Sequence, residues 1–295
     1  MVTGMPKYEV YAPLSEFEWP GSEAELIPGF WLRRRVQKPE LRGLNAGLAL
    51  DEQDTITMVD HWLEFQWTEA ETPSAAEWVN LALLAFWLTK PTKAHATHRF
   101  QLDCGPPQGR LDRTSRLLDR FAWVPGATAA AFDDADVRSA GLYLPTLAGL
   151  CRARGRLNDA LVLTLTGCWS HKWQVALICH AAAAEAILTY STGPGITRRL
   201  STSYACLVAT TPTDRDTAFR EFAALYGSRS DIMHGRTYNV PQSDRLSTLA
   251  RFGNALRNLW RVVLSSQFAL QALEGTDVQR QTWFTAHEAG YTPPP

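Results

Sequence analysis

The sequence predicts an α+β fold, in which a mixed, strand-containing α/β region is followed by an all-α helical bundle. Two observations carry this prediction. Within the first 135 residues, apolar and polar side chains alternate in two stretches with the period of two that is typical of half-buried strands. From about residue 137 onward the strand signal disappears, and apolar residues recur with the spacing of helices. The length of 295 residues is sufficient for two domains.

The first region combines the strand signals with two helix signals. Residues 55–67 contain one alternating stretch, and residues 98–104 contain the other. Between them, Ser74 and Glu77 form a capping box, which predicts the start of a helix. The run after this box is so apolar that we expect the helix to be buried on nearly all sides. Residues 111–124 predict a short amphipathic helix.

We place the boundary near residues 130–140, after a run rich in Ala and Asp, and take 1–135 and 136–295 as the two domains. Gly and Pro residues divide the second domain into helical segments. These segments are 137–154, 156–170, 172–190, 196–210, 214–234, 243–273 and 276–289. The second domain is therefore expected to be a helical bundle.

The charges of the two regions differ in sign. Residues 1–135 carry 13 Lys and Arg against 19 Asp and Glu, a net charge of −6, whereas residues 136–295 carry 16 against 11, a net charge of +5. All but one of the 16 basic residues in the second region are Arg. Arg is well suited to contact phosphate, but the same composition also fits solvated helix faces. Charge alone leaves both interpretations open.

Several classes of protein are disfavoured by the sequence. No apolar stretch reaches the roughly 18 residues that a membrane span requires, and the first residues lack the pattern of a secretory signal. Five cysteines without regular spacing are typical of reduced thiols, so we expect a cytoplasmic protein. The His and Cys residues that are close in sequence do not form two compact ligand pairs, so we expect no metal and no cofactor. These residues are His95, His98, Cys168, His171, Cys179 and His180.

The segment 225–235 contains the strongest candidate for chemistry. On a helical wheel Arg229 lies within an apolar arc, where a guanidinium is unfavourable unless it is paired or binds a functional anion. Asp231 lies on the opposite, polar side of the wheel. Gly235 is a typical helix terminator, so it leaves His234 in the last turn. The apolar arc itself is formed by Phe219, Phe222, Tyr226 and Met233, with Leu225 and Ile232 at its edge.

Spacing alone does not identify this site, because Arg280 and His287 show a similar separation. What distinguishes Arg229 and His234 is their setting in a helical bundle, beside Ser230 and before a terminating glycine.

That setting resembles the HEPN superfamily, in particular its Apea-like branch. The resemblance covers about residues 156–273. Three weaker segments contribute to it, at 156–161, 184–188 and 198–207. The specific part is Leu225-Tyr226, Arg229-Ser230 and His234-Gly235, which is similar to the Tyr, Arg-Ser and His-Gly pattern of the family. In one toxin branch a modified tyrosine lies two residues after the His; here that position is Arg236, so we do not predict such regulation.

The resemblance implies a metal-independent endoribonuclease that acts on RNA as a homodimer, with a composite cleft formed by the motifs of two subunits. Arg229 and His234 are the implied catalytic pair. We assign supporting roles at the site and RNA contacts to further residues. The supporting residues are Ser230, Asp231, Tyr226 and Glu185, and the RNA-binding residues are Arg236 and Arg199. Relatives serve as toxins or in antiviral (anti-phage) defence, which implies an unidentified trigger or inhibitor, with residues 1–135 as a sensing region.

The alternative is a catalytically inactive HEPN module that binds nucleic acid, a nucleotide or a protein partner. In that case Arg229 is an interface anchor and His234 only ends a helix. One further expectation is common to both hypotheses. Glu185 lies in an alanine-rich segment that we expect to be buried, where an unpaired carboxylate is unstable. We therefore predict an ion pair between Glu185 and either Arg229 or Arg199.

Overall fold

The computed structural model has an N-terminal antiparallel sheet region followed by a helical bundle, which confirms the predicted α+β class. It describes residues 7–35, 50–69, 71–104, 110–116, 130–190, 195–236 and 241–294. Of these, the residues up to Arg152 form one compact unit, and those from Ala153 onward form a second. The sequence placed the boundary at residue 135 instead.

The first unit is built on a sheet of seven strands. The strands of the unit are β1 (Lys7–Ser15), β2 (Phe17–Glu18), β3 (Glu23–Ile27), β4 (Phe30–Arg34), β5 (His61–Thr68), β6 (His95–Ala96), β7 (His98–Asp103), β8 (Arg110–Arg116) and β9 (Ala130–Ala131). The large sheet has the order β3-β4-β5-β1-β7-β8, all antiparallel, with β6 also paired to β1. The short strands β2 and β9 pair separately and in parallel. Both predicted alternating stretches thus contain strands, β5 and β7.

Three helices belong to the first unit. They are α1 (Leu50–Met58), α2 (Ala75–Thr89) and α3 (Asp134–Ala153), the last of which ends at the unit boundary. The predicted capping box begins α2: the Ser74 hydroxyl accepts from the Glu77 N–H at 3.3 Å, and the Glu77 carboxylate accepts from the Ser74 N–H at 2.7 Å. The ring centroid of Trp78 lies 5.7 Å from that of Phe30, so α2 packs on the sheet. Most of its side chains are buried, as predicted.

The helix predicted at residues 111–124 is wrong over the part that the structure describes. Residues 110–116 form β8, which pairs with β7 from His98–Arg116 to Asp103–Arg110. Pairing with the preceding strand β7 determines the structure of this segment, and the spacing of its apolar residues does not reveal that pairing. Residues 117–124 lie outside the described residues.

The second unit consists of helices. They are α4 (Arg156–Trp169), α5 (Trp173–Leu188), α6 (Ile196–Val208), α7 (Pro212–Met233), α8 (Arg245–Leu264), α9 (Gln267–Glu274) and α10 (Asp277–Glu288). The predicted segment 243–273 is interrupted because Ser266 caps a new helix, its hydroxyl accepting from the Ala269 N–H at 3.2 Å. Within the described ranges, no helix combines the length and the apolar character that spanning a membrane requires.

Close packing of α4 against α5 determines the environment of His180. A Cβ atom on Gly167 would lie 2.3 Å from Cδ2 of His180, so only glycine allows this approach. The ring is buried, and its Nε2 lies 3.9 Å from Sγ of Cys168. Burial lowers the pKa of His180 to about 4, because the charged imidazolium loses its hydration.

The second unit is therefore expected to lose stability in weak acid. The ordinary pKa of 6.5 applies to His180 in the unfolded chain, so between pH 6.5 and about 4 the unfolded state binds the extra proton and stability rises with pH. The expected loss between pH 7 and pH 5 is about 2 kcal/mol. Urea unfolding at the two pH values measures it. The loss should shrink in His180→Gln, and an identical pH dependence in that variant would contradict the assignment.

Candidate active site at the end of α7

Helix α7 ends within one residue of the position that the sequence predicts, and its end leaves His234 exposed. Gly235 has a φ of +71°, in the left-handed region that favours glycine. The N–H of Arg236 donates to the carbonyl oxygen of Asp231 at 2.7 Å and closes the last turn. His234 is the C-cap residue: its N–H donates to the carbonyl oxygen of Ser230 at 3.0 Å, and its side chain is exposed.

The buried face of α7 differs from the predicted arc in its last turn. Met233, which the wheel placed on the arc, is 54% exposed. Ile232, which the wheel placed at the edge of the arc, is buried instead. The buried side chains of the helix are Phe219, Phe222, Leu225, Tyr226 and Ile232. The helix itself ends at Met233, one residue before the predicted end.

Arg229 lies in a three-residue cluster with Glu185 and Tyr226. Nη2 of Arg229 is 3.3 Å from Oε1 of Glu185, which confirms the predicted ion pair and selects Arg229 as the partner. The hydroxyl of Tyr226 donates to the same Oε1 at 2.7 Å. The guanidinium carbon of Arg229 lies 5.7 Å from the centroid of the Tyr226 ring. A carboxylate on α5 thus holds a tyrosine and an arginine of α7 together.

The cluster is only partly shielded from solvent, contrary to the expectation that Glu185 is buried. The side chain of Glu185 is 25% exposed and that of Arg229 is 32% exposed. Burial and the hydrogen bond to Glu185 raise the pKa of Tyr226, so the phenol remains a proton donor. A guanidinium has five N–H donors, and the contact with Glu185 involves one of its terminal nitrogens. Arg229 therefore keeps donors for a phosphate group.

Removing the carboxylate is expected to destabilise the second unit. Glu185→Ala leaves the Tyr226 hydroxyl and the Arg229 guanidinium without their shared acceptor, at a cost of about 1–3 kcal/mol. Tyr226→Phe removes a single hydrogen bond and should cost about 1 kcal/mol. Urea unfolding measures both values.

The matched control is Glu221→Ala on α7. The ion pair of Glu221 with Arg251 is exposed and long, at 3.9 Å, so its loss should cost less than about 0.5 kcal/mol. Equal effects of Glu185→Ala and Glu221→Ala would contradict a structural role for the cluster.

Arg156 supports the end of α5 next to Glu185, a role that the sequence did not indicate. Its Nε donates to the carbonyl oxygen of Ala186, and its Nη2 donates to that of Thr189 at 2.7 Å. A basic residue in the first turn of α4 interacts unfavourably with the helix dipole. This position was the sequence signal that could have indicated a distant partner for Arg156. Through these contacts Arg156 fixes the last turn of α5, from which Glu185 projects.

The other predicted site residues lie at the end of α7 and on α6. Asp231 is half-buried and pairs with Arg236, whose Nε lies 3.5 Å from its Oδ1. Arg236 is 48% exposed and follows His234 closely in the chain. Arg199 lies on α6, where its charge acts on Tyr190, and it is not the partner in the Glu185 ion pair that the structure gives. Ser230 is half-buried beside Arg229.

Among the described residues, no group of three or more His, Cys, Asp and Glu side chains is arranged to hold a metal ion. The cysteines in this part of the chain are not joined by disulfide bonds.

Comparison with known proteins identifies no relative. The chain matches no protein-family model, no curated protein and no solved structure. The family resemblance therefore rests on the motif of residues 225–235 and on the helical setting in which it lies.

Proposed function

We propose that the second unit is a metal-independent endoribonuclease of the HEPN type, with Arg229 and His234 as its catalytic pair. The observation that carries the proposal is their placement at one end of α7. Arg229 is oriented by Glu185 and Tyr226 but keeps partial exposure, and His234 is exposed next to the terminating Gly235. Arg236 adds a second exposed guanidinium at the same helix end.

The chemistry follows from the two side chains. The 2′-hydroxyl of RNA attacks the adjacent phosphorus; the P–O2′ bond forms and the P–O5′ bond breaks. The imidazole of His234 moves the proton from the attacking hydroxyl to the departing 5′-oxygen. The guanidinium of Arg229 contacts the non-bridging oxygens and stabilises their charge in the transition state. The products are a 2′,3′-cyclic phosphate and a 5′-hydroxyl.

The proposed biological setting rests on the family resemblance. We infer a cytoplasmic toxin or anti-phage effector, in which the first unit senses a trigger and the second unit cleaves RNA. A homodimer would bring two motifs to one cleft. Sedimentation velocity at the concentration of the activity assay is expected to show the dimer, and a monomer that cleaves RNA would contradict the shared cleft.

One observation favours the alternative, an inactive module that binds nucleic acid, a nucleotide or a protein. The charge of Arg229 is already balanced by Glu185, as in an arginine with a structural role. The two functions differ in a single experiment with the full chain, mixed cellular RNA and EDTA. Cleavage that is lost in a variant carrying both Arg229→Ala and His234→Ala supports the nuclease. Binding of intact RNA, measured by fluorescence anisotropy without any cleavage, supports the module.

A further inference from the structure

A cavity that is separate from the candidate active site lies among helices α6, α7 and α8. Its volume is about 450 Å³, within the range of roughly 300–1,000 Å³ that is usual for small-molecule sites. Neither Arg229 nor His234 lines it. Valine and alanine side chains form its apolar wall, and six polar side chains line it. These are Tyr204, Asp214, Thr217, Glu221, Asn258 and Arg261.

Tyr204 provides a buried hydrogen-bond donor at this cavity. Its side chain is 6% exposed, and its ring stacks on Phe222 with centroids 4.4 Å apart. Within the described ranges its hydroxyl has no hydrogen-bond partner, although the oxygen is not sealed from solvent. Burial and the nearby carboxylate of Glu221 raise the pKa of Tyr204, so the phenol keeps its proton. A hydroxyl at the cavity wall without a protein partner can donate to an acceptor on a ligand.

Arg261 adds a cation on the same wall. No carboxylate of the described chain lies within ion-pair distance of its guanidinium, and the charged neighbour that it affects is Arg257, another arginine. Asn258 lies three residues before Arg261 on α8, one helical turn away, and its side chain is exposed. Together with Tyr204, these groups form a set of donors suited to a carboxylate.

Two carboxylates belong to the wall that α7 contributes. Asp214 accepts from the Thr211 hydroxyl at 2.6 Å, and Glu221 is 3.9 Å from Arg251, so each carboxylate retains acceptor capacity. A simple anion would meet these two negative charges, and a simple cation would meet the guanidinium of Arg261. A molecule that carries both charges satisfies both sets of groups.

We propose that this cavity binds a small zwitterion of the amino-acid or short-peptide class. The carboxylate of the ligand contacts Arg261 and the Tyr204 hydroxyl, its ammonium group contacts Glu221 and Asp214, and an aliphatic side chain packs on the valine and alanine wall. The proposal does not depend on RNA cleavage, because none of these residues belongs to the cluster on Glu185.

The test is a calorimetric titration of the full chain with L-leucine and with glycyl-L-leucine. Two matched half-molecules serve as probes of each charge: 3-methylbutylamine lacks the carboxylate, and 4-methylpentanoate lacks the amine. Saturable binding of at least one zwitterion is expected, with both half-molecules at least about tenfold weaker. Arg261→Gln should weaken binding about tenfold or more, and Tyr204→Phe, which keeps the ring, should weaken it about threefold to tenfold.

The control variant is Arg220→Gln, an exposed arginine of α7 that does not line the cavity, and it should bind as the natural chain does. Absence of saturable binding for both zwitterions would overturn the proposal. Equal binding of a half-molecule and L-leucine would also overturn it, as would unchanged affinity in both Arg261→Gln and Tyr204→Phe.

Discussion

RNA cleavage is expected to fall by a factor of about 100 to 10,000 when His234 is replaced by alanine. In the proposed reaction the imidazole both accepts the 2′-hydroxyl proton and protonates the 5′-oxygen, and water performs these transfers poorly. Because His234 is exposed at the end of α7, the substitution removes no core contact. The single-turnover rate on labelled RNA in EDTA measures the loss, and anisotropy should show nearly unchanged RNA affinity.

His287 is the matched control for this substitution. It is also an exposed histidine, seven residues after Arg280 in the chain. It lies on α10, where its Nδ1 is 2.9 Å from the carbonyl oxygen of Trp283. His287→Ala is expected to cleave RNA at the natural rate. Full activity in His234→Ala, or equal losses in the two variants, would exclude His234 as the proton carrier.

Arg229→Ala is expected to lower the cleavage rate by about 100-fold to 1,000-fold, because the phosphate loses a preorganised donor in the transition state. Arg229→Lys should restore only part of the rate, since an ammonium group is not a planar, two-pronged donor. Glu185 and Tyr226 contact the guanidinium of Arg229 and orient it. Saturating single-turnover rates separate this loss from weaker RNA binding.

Two comparisons make the Arg229 prediction specific. Arg220→Ala removes an exposed arginine from the same helix and should leave the rate unchanged. Glu185 keeps its hydrogen bond from Tyr226 in Arg229→Ala, so circular dichroism should show a folded protein. A lysine variant as active as the natural chain would show that charge alone suffices, against the proposed two-pronged contact.

The parts of the fold that could be predicted depend on local chemistry. The capping box at Ser74 and Glu77 begins α2, and Gly235 ends α7, because each acts on backbone groups a few residues away. Alternation likewise predicted the strands β5 and β7. These signals are complete within a few residues of sequence, so they could be read without knowledge of tertiary contacts.

The errors arise where contacts with other elements determine the structure. Residues 110–116 form a strand because they pair with the preceding strand β7. Helix α3 lies in the first unit, where a Cβ on Gly141 would be 2.7 Å from the carbonyl oxygen of Leu26, so sheet and helix are in close contact. Helical periodicity alone assigned α3 to the following bundle.

The candidate site shows the same division. The Glu185–Arg229 ion pair could be predicted because a carboxylate and a guanidinium on apolar segments each require a partner. The choice of Arg229 over Arg199, the hydrogen bond from Tyr226 and the support from Arg156 could not. These contacts join residues 30 to 44 positions apart, and their geometry depends on how α5 packs against its neighbours.

The most direct test of the central claim is the chemical nature of the RNA ends. The full chain is incubated with a defined RNA in EDTA, and the products are analysed by mass spectrometry. The expected ends are a 2′,3′-cyclic phosphate and a 5′-hydroxyl, and no cut is expected at a site where the 2′-hydroxyl is replaced by hydrogen. Products with 3′-hydroxyl and 5′-phosphate ends, or cleavage at the 2′-deoxy site, would contradict the proposed reaction.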